Sequence, residues 1–140
     1  AAKDNITSIK IKSGRMLLAT GFLRKVFEIF ESWKTPIDMI ATSEVAISLT
    51  IDSTCHLEDI KKDLTKYGTI EVEESLSIIC IVGDCSINNS GLAARALTAL
   101  KDIPLHMISY GASEHSISLL VKQTDKQKAL EALSERLLNQ

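Results

Sequence analysis

A chain of 140 residues, 45% of them apolar, is long enough for one domain or two small ones and is neither disordered nor fibrous. A formal net charge of −2, with both signs interspersed, and an aromatic content of 4% give neither the basic footprint nor the stacking platform of a nucleic-acid binder. No stretch is long and apolar enough to span a bilayer and no signal-peptide pattern is present, so no membrane partner is expected.

The first half reads as a layered unit. Ile9 and Ile11 alternate with Lys10 and Lys12, which predicts a strand over Ile6–Lys12. Ser13-Gly14 ends it, and a loop runs to Thr20, a candidate N-cap. From Gly21 the residues Phe22, Leu23, Val26, Phe27, Ile29, Phe30 and Trp33 recur at helical spacing, with Arg24, Lys25, Glu28 and Glu31 on the other face. Thr35-Pro36 stops this helix, and Ile37 to Ala41 reads as a short strand. Val45, Ile47, Leu49 and Ile51 mark the clearest strand. Leu57, Ile60, Leu64 and Tyr67 mark a second helix, with Gly68 placed as its C′ residue, and Ile70 and Val72 a closing strand.

The second half repeats the plan. Leu76–Val82 is a nearly unbroken apolar run, expected to be a central strand buried on both faces. Leu92, Ala96, Leu97 and Leu100 form a helical stripe, Leu105–Tyr110 and Ser116–Val121 read as strands, and Leu130, Leu133 and Leu137 lie on one face of a last helix from about Asp125. Gly21-Phe22-Leu23 matches Gly91-Leu92-Ala93, Pro36-Ile37-Asp38 precedes a strand as Pro104-Leu105-His106 does, and Ser43-Glu44-Val45 matches Ser113-Glu114-His115. The fold class is α+β: two ferredoxin-like βαββαβ units in tandem, over residues 1–74 and 75–140. The second copy ends one strand short. Because an open sheet edge is a pairing liability, the missing strand is expected from residues preceding Ala1. A chain that opens Ala1-Ala2-Lys3 without an initiator Met fits a partial or processed start.

Catalytic signatures are missing from the pattern. No Gly-rich phosphate loop occurs, and His56, His106 and His115 lack nucleophile or metal-ligand spacing, so neither catalytic nor metal residues are assigned. Glu71, Glu73 and Glu74 read as a solvated strand end. Cys55, Cys80 and Cys85 are odd in number and lack C-x-x-C spacing, which fits a reducing, cytoplasmic setting, with Cys80 expected as a buried thiol. Binding is the better reading. The N–H groups of Gly21, Phe22 and Leu23 would face a carboxylate at the start of the first helix, although Gly21 equally suits a tight turn there. Asp38 stands where the other copy has His106, and Glu44 lies in the next turn. A helix N-terminus with two acids complements one carboxylate and two ammonium groups, the charge pattern of lysine, whereas threonine leaves one acid unpaired.

Met16, Gly21-Phe22-Leu23, Val26-Phe27, Ile37-Asp38 and Thr42-Ser43-Glu44-Val45, continued by Val72-Glu73-Glu74 and Tyr110-Gly111-Ala112-Ser113, resemble the regulatory region of monofunctional, lysine-sensitive aspartokinases. The resemblance covers nearly the whole chain. It implies tandem ACT domains that sense an amino acid and inhibit an attached kinase domain, which phosphorylates the β-carboxylate of aspartate with ATP and Mg. The catalytic residues would lie before this region, leaving the chain itself without cofactor. It also implies a homodimer through the first ACT domain, and an effector site there, between two chains, formed by Met16, Ala19, Gly21, Phe22, Leu23, Ile37, Asp38, Thr42, Ser43, Glu44 and Val45. Ala19 departs from relatives that carry a hydroxyl at that place. L-lysine is the expected effector and L-threonine the alternative. A ligand-free dimerisation module and an ACT sensor from another amino-acid pathway remain the competing readings.

Overall fold

A computed structural model describes residues 2–13, 21–43, 45–83, 90–111 and 113–138. The elements run β1 (Ala2–Lys12), α1 (Phe22–Ser32), β2 (Ile40–Thr42), β3 (Ala46–Ile51), α2 (Leu57–Leu64), β4 (Thr69–Val82), α3 (Ser90–Ala99), β5 (Met107–Ser109), β6 (Ser116–Lys122) and α4 (Lys126–Leu138). A 3-10 turn, Gln123–Asp125, leads into α4. Among the described residues no helix is long and apolar enough to cross a membrane.

The chain divides into an N-terminal module, Ile6–Glu74, and a C-terminal module, Ala1–Asn5 with Ser75–Gln140. In the N-terminal module the strand order is β2-β3-β1-β4. Thr7 through Lys12 pair antiparallel with Ile51 through Ala46, and Ile40, Ala41 and Thr42 pair with Leu49, Ser48 and Ile47. The period-2 alternation turns Ile9, Ile11, Ile47, Leu49 and Ile51 to one face. There Phe22, Val26 and Phe30 of α1 and Leu57, Ile60 and Leu64 of α2 complete a core of fully or nearly fully buried side chains. At about 1.5–3 kcal/mol per buried large apolar side chain, this face supplies the main stabilisation of the module.

The C-terminal module has the order β5-β6-β4-β1. Leu76 through Val82 pair with Lys122 through Ser116, and Met107, Ile108 and Ser109 pair with Leu120, Leu119 and Ser118. Its core is smaller in side-chain volume, with Ala96 and Ala129 beside Ile79, Leu100, Leu119, Val121 and Leu133.

Several elements depart from the sequence reading. The strand expected from before Ala1 is Ala2–Asn5, the first part of β1. Asp4 is anchored there by the Ser77 hydroxyl (2.7 Å) and by Lys126 Nζ (2.8 Å), and the Asn5 N–H donates to Gln123 Oε1 at 3.1 Å. The sequence Ala-Lys-Asp-Asn has no apolar alternation, so only the backbone pairing and the Asp4 anchor identify it. This also moves residues 1–5 out of the first unit, which begins at Ile6. The closing strand of the first copy and the opening strand of the second are one strand, β4. Asn5 (φ 59) and Ser75 (φ 61) sit in left-handed backbone where the chain passes from one module to the other, a conformation costing a non-glycine residue roughly 1–2 kcal/mol.

Val45 is 60% exposed and belongs to the turn rather than to β3. Helix α2 ends at Leu64 with Thr65 as its cap, so Gly68 is not its C′ residue. A Cβ at Gly68 would lie 2.4 Å from the Lys12 carbonyl oxygen, and close approach of β1 is what demands glycine there. Cys80 is half-buried rather than buried, and Cys85 and Thr20 lie outside the described residues.

Candidate functional site

Helix α1 begins at a left-handed residue. Gly21 has φ 89 and occupies the N-cap with no side chain capping the first turn; a Cβ there would meet nothing within 4 Å. The glycine is therefore required by its backbone angle, not by crowding. Its carbonyl accepts the Lys25 N–H at 3.1 Å, while Phe22 turns into the core and Leu23 outward. The first turn of α1 carries no acidic residue, whereas that of α2 carries Glu58 and Asp59. The positive end of α2 is thus partly neutralised by its own carboxylates, and the first turn of α1 carries none that could do the same.

Three contacts place the start of α1 at the C-terminal end of β1. The Phe22 ring packs edge-on against Tyr67, with centroids 6.4 Å apart at 80°, and Lys25 Nζ lies 5.9 Å above the Tyr67 ring. Gly68, next in the chain, abuts the Lys12 carbonyl. The Ser13 N–H donates to the Val45 carbonyl at 3.1 Å, bringing the β2–β3 turn to the same end. Within that turn the Ser43 hydroxyl accepts the N–H groups of Val45 (3.4 Å) and Ala46 (3.2 Å), and the Ser43 N–H donates to the Ala46 carbonyl at 2.9 Å. Glu71 beside this end pairs with Lys12 at 3.0 Å, which holds its carboxyl below the ordinary glutamate range.

Asp38 is elsewhere. It lies at the start of the edge strand, its N–H donating to the Thr50 carbonyl at 2.8 Å and its side chain exposed. Thr42 lies four positions further along the chain, roughly 13 Å at the rise of an extended backbone. Ile37, just before it, packs on the core and lines a groove of ≈ 450 Å³ with Phe27, Phe30, Lys34 and Pro36. The structure therefore brings Gly21, Phe22, Leu23, Thr42, Ser43 and Val45 to one end of the module and sets Ile37 and Asp38 towards the other. Met16, Ala19 and Glu44 lie outside the described residues. Tyr67, which the sequence pattern marks only as a helix position, is the packing partner that seats Phe22. Among the described residues no group of three acidic, His or Cys side chains could hold a metal ion. His56 instead packs its ring on Trp33 at 5.4 Å, and Trp33 Nε1 donates to Asp63 at 2.8 Å.

A βαββαβ module followed by a βαββα module whose last strand is Ala2–Asn5 makes a tandem α+β protein of ferredoxin-like units, and the ACT domain family matches residues 79–137. A C-terminal regulatory domain of aspartate kinase from Porphyromonas gingivalis is 52% identical, superposes with a TM-score of 0.90, and is matched over 99% of this chain and 96% of its own. The chain belongs to the ACT-domain regulatory regions of aspartokinases. Aspartokinase from Candida albicans is 35% identical over 98% of this chain and 26% of its own length. Aspartokinase III of Escherichia coli, in a structure in complex with lysine and aspartate (T-state), is 30% identical with a TM-score of 0.84, over 98% of this chain and 32% of its own. The chain thus spans about a quarter of the length of the curated aspartokinases it matches first.

Proposed function

We propose that the chain is the effector-sensing region of an aspartate kinase, an enzyme that converts ATP and L-aspartate to 4-phospho-L-aspartate in the cytoplasm, and that L-lysine bound to its N-terminal module inhibits that reaction. The observation that carries this reading is the division of the candidate residues. The anion-ready start of α1 and the carboxylate of Asp38 lie at opposite ends of one module, farther apart than a free amino acid can bridge. Two chains placed side by side can each contribute one half. Leu23, Phe27, Ile40 and Val45, all between 39% and 60% exposed on α1, β2 and the turn, offer the apolar surface for such a pairing.

The chemistry follows from charge. The free N–H groups at the first turn of α1 bind the α-carboxylate, and the carboxylates of Asp38 and Glu44 take the two ammonium groups. A ligand held between two chains favours the arrangement in which both halves meet, and coupling to the kinase requires only that this arrangement be the less active one, with a coupling typically of about 1–3 kcal/mol. The lysine complex of the E. coli relative supports lysine as effector.

Calorimetric titration of the chain tests the reading: lysine binding is expected ahead of threonine, and threonine binding without lysine binding would reassign the effector. Sedimentation should find a dimer burying on the order of 1,600 Å² in total. A monomer that takes up neither amino acid would leave no effector role for the chain.

A further inference from the structure

Both modules carry the same irregularity where their edge strand begins. In the N-terminal module the register Ile40↔Leu49 would, one step on, set Met39 opposite Thr50. The Thr50 N–H does donate to the Met39 carbonyl at 3.0 Å, but the Thr50 carbonyl accepts from Asp38, at 2.8 Å. Two residues oppose one, the arrangement of a β-bulge, which re-aims side chains beside functional sites. In the C-terminal module Met107 pairs with Leu120 while the His106 N–H donates to the Leu120 carbonyl at 2.7 Å, the same offset.

A bulge diverts the partner carbonyl from the second residue's N–H, and a buried N–H needs an acceptor. Met39 is buried, and the Thr50 hydroxyl oxygen accepts its N–H at 2.8 Å. Thr50 itself is fully buried. Leu120 at the matching place has no side-chain acceptor. The hydroxyl thus occurs in the module whose bulged residue is an acid, and not in the module whose bulged residue is His106.

We infer that Thr50 is a positioning residue for effector recognition: its hydroxyl pins the buried Met39 N–H and so fixes the bulged segment that presents Asp38, without itself touching the ligand. This rests on the proposed effector reading. The bulge itself forms over Leu120 without a hydroxyl, so what Thr50 adds is an acceptor for the buried Met39 N–H. Without it that N–H is left unpaired, and the segment carrying Asp38 shifts to find another partner, which takes the carboxylate from its place.

The test is lysine titration of the chain in five forms: wild type, Thr50→Val, Thr50→Ser, Asp38→Asn and the double variant Thr50→Val/Asp38→Asn. Thr50→Val keeps the side-chain volume and should weaken lysine binding about tenfold, less than removal of the carboxylate itself because the displaced Asp38 keeps its charge. Thr50→Ser, which keeps the hydroxyl, should bind like wild type. In the Asp38→Asn background, Thr50→Val should have no further effect, a non-additivity that a purely structural role would not produce. Thr50→Ala replaces Thr50→Val if the latter does not fold. Wild-type affinity in the hydroxyl-less variant, or an equal loss with and without the Asp38 carboxylate, overturns the inference alone. A wild-type chain that takes up no lysine removes the effector reading and this inference with it.

Discussion

At the start of the edge strand the two modules use one backbone arrangement and opposite side chains. Asp38 and His106 donate their N–H groups to the carbonyls of Thr50 and Leu120, at 2.8 Å and 2.7 Å. The agreement belongs to the shared plan: both edge strands begin with the same bulge, at the second residue after Pro36 and Pro104. The disagreement falls at the bulged residue and the residue beneath it, where an acid over a hydroxyl faces a histidine over a leucine. A second contrast lies in the cores, since Phe22 and Phe30 fill the N-terminal module where Ala96, Leu100 and Ala129 fill the other. The two modules thus share a backbone plan and differ both in how their cores are filled and at the start of the edge strand.

That contrast can be broken by mutation, beginning with the cores. Phe30→Ala should cost about 3–5 kcal/mol of stability, the range for deleting a fully buried aromatic ring, seen as a lower urea midpoint. Amide exchange read module by module would show how far the cores are independent: equal losses in both modules would make them one cooperative unit.

The site contrast comes next. Asp38→Ala should weaken lysine binding by about 2–5 kcal/mol, the cost of losing a charge pair that the proposed pairing of two chains would bury, and His106→Ala should leave the affinity unchanged. A comparable loss in His106→Ala, measured by calorimetry, would place ligand recognition in both modules.

The two glycines at strand starts and ends should differ as well. Gly68→Ala drives a Cβ against the Lys12 carbonyl and should cost about 1–3 kcal/mol, as overpacking does. At Gly83 the nearest heavy atom, Leu92 Cδ2, is 3.7 Å away, an ordinary contact, so Gly83→Ala should shift the thermal midpoint little.

The smallest effect is the response to acid. Asp4 is held below its ordinary 3.8 by hydrogen bonds from Lys126 and Ser77, and Glu71 is held low by Lys12. A carboxyl whose pKa is lower folded than unfolded stabilises the fold above the unfolded value and loses that contribution as pH falls through the folded one. Stability followed below about pH 4, the ordinary carboxylate range, should therefore fall less steeply in Asp4→Asn than in wild type. Because the Asp4 pair is less exposed than the Lys12–Glu71 pair, Glu71→Gln should flatten the curve less.

The order of helices and strands, the twofold repeat and the core residues were legible in the sequence, because apolar periodicity of 2 or 3.6 is written in consecutive side chains and burial follows it. Gly21 and the acid at Asp38 were legible for the same local reason, one by its position before a helix, the other by its mismatch with His106. The role of Thr50 was not read there, although its mismatch with Leu120 was visible. A hydroxyl accepting a buried N–H eleven residues away leaves no periodic trace. Only the tertiary structure decided that Ala2–Asn5 closes the C-terminal module, since a strand without an alternating apolar face is recognised by its hydrogen-bonded neighbour. It decided likewise that Gly68 yields to a carbonyl of β1, and that the start of α1 and Asp38 lie at opposite ends of one module. These are distances between parts of the chain remote in order, and side-chain chemistry encodes them only through the packing of the whole.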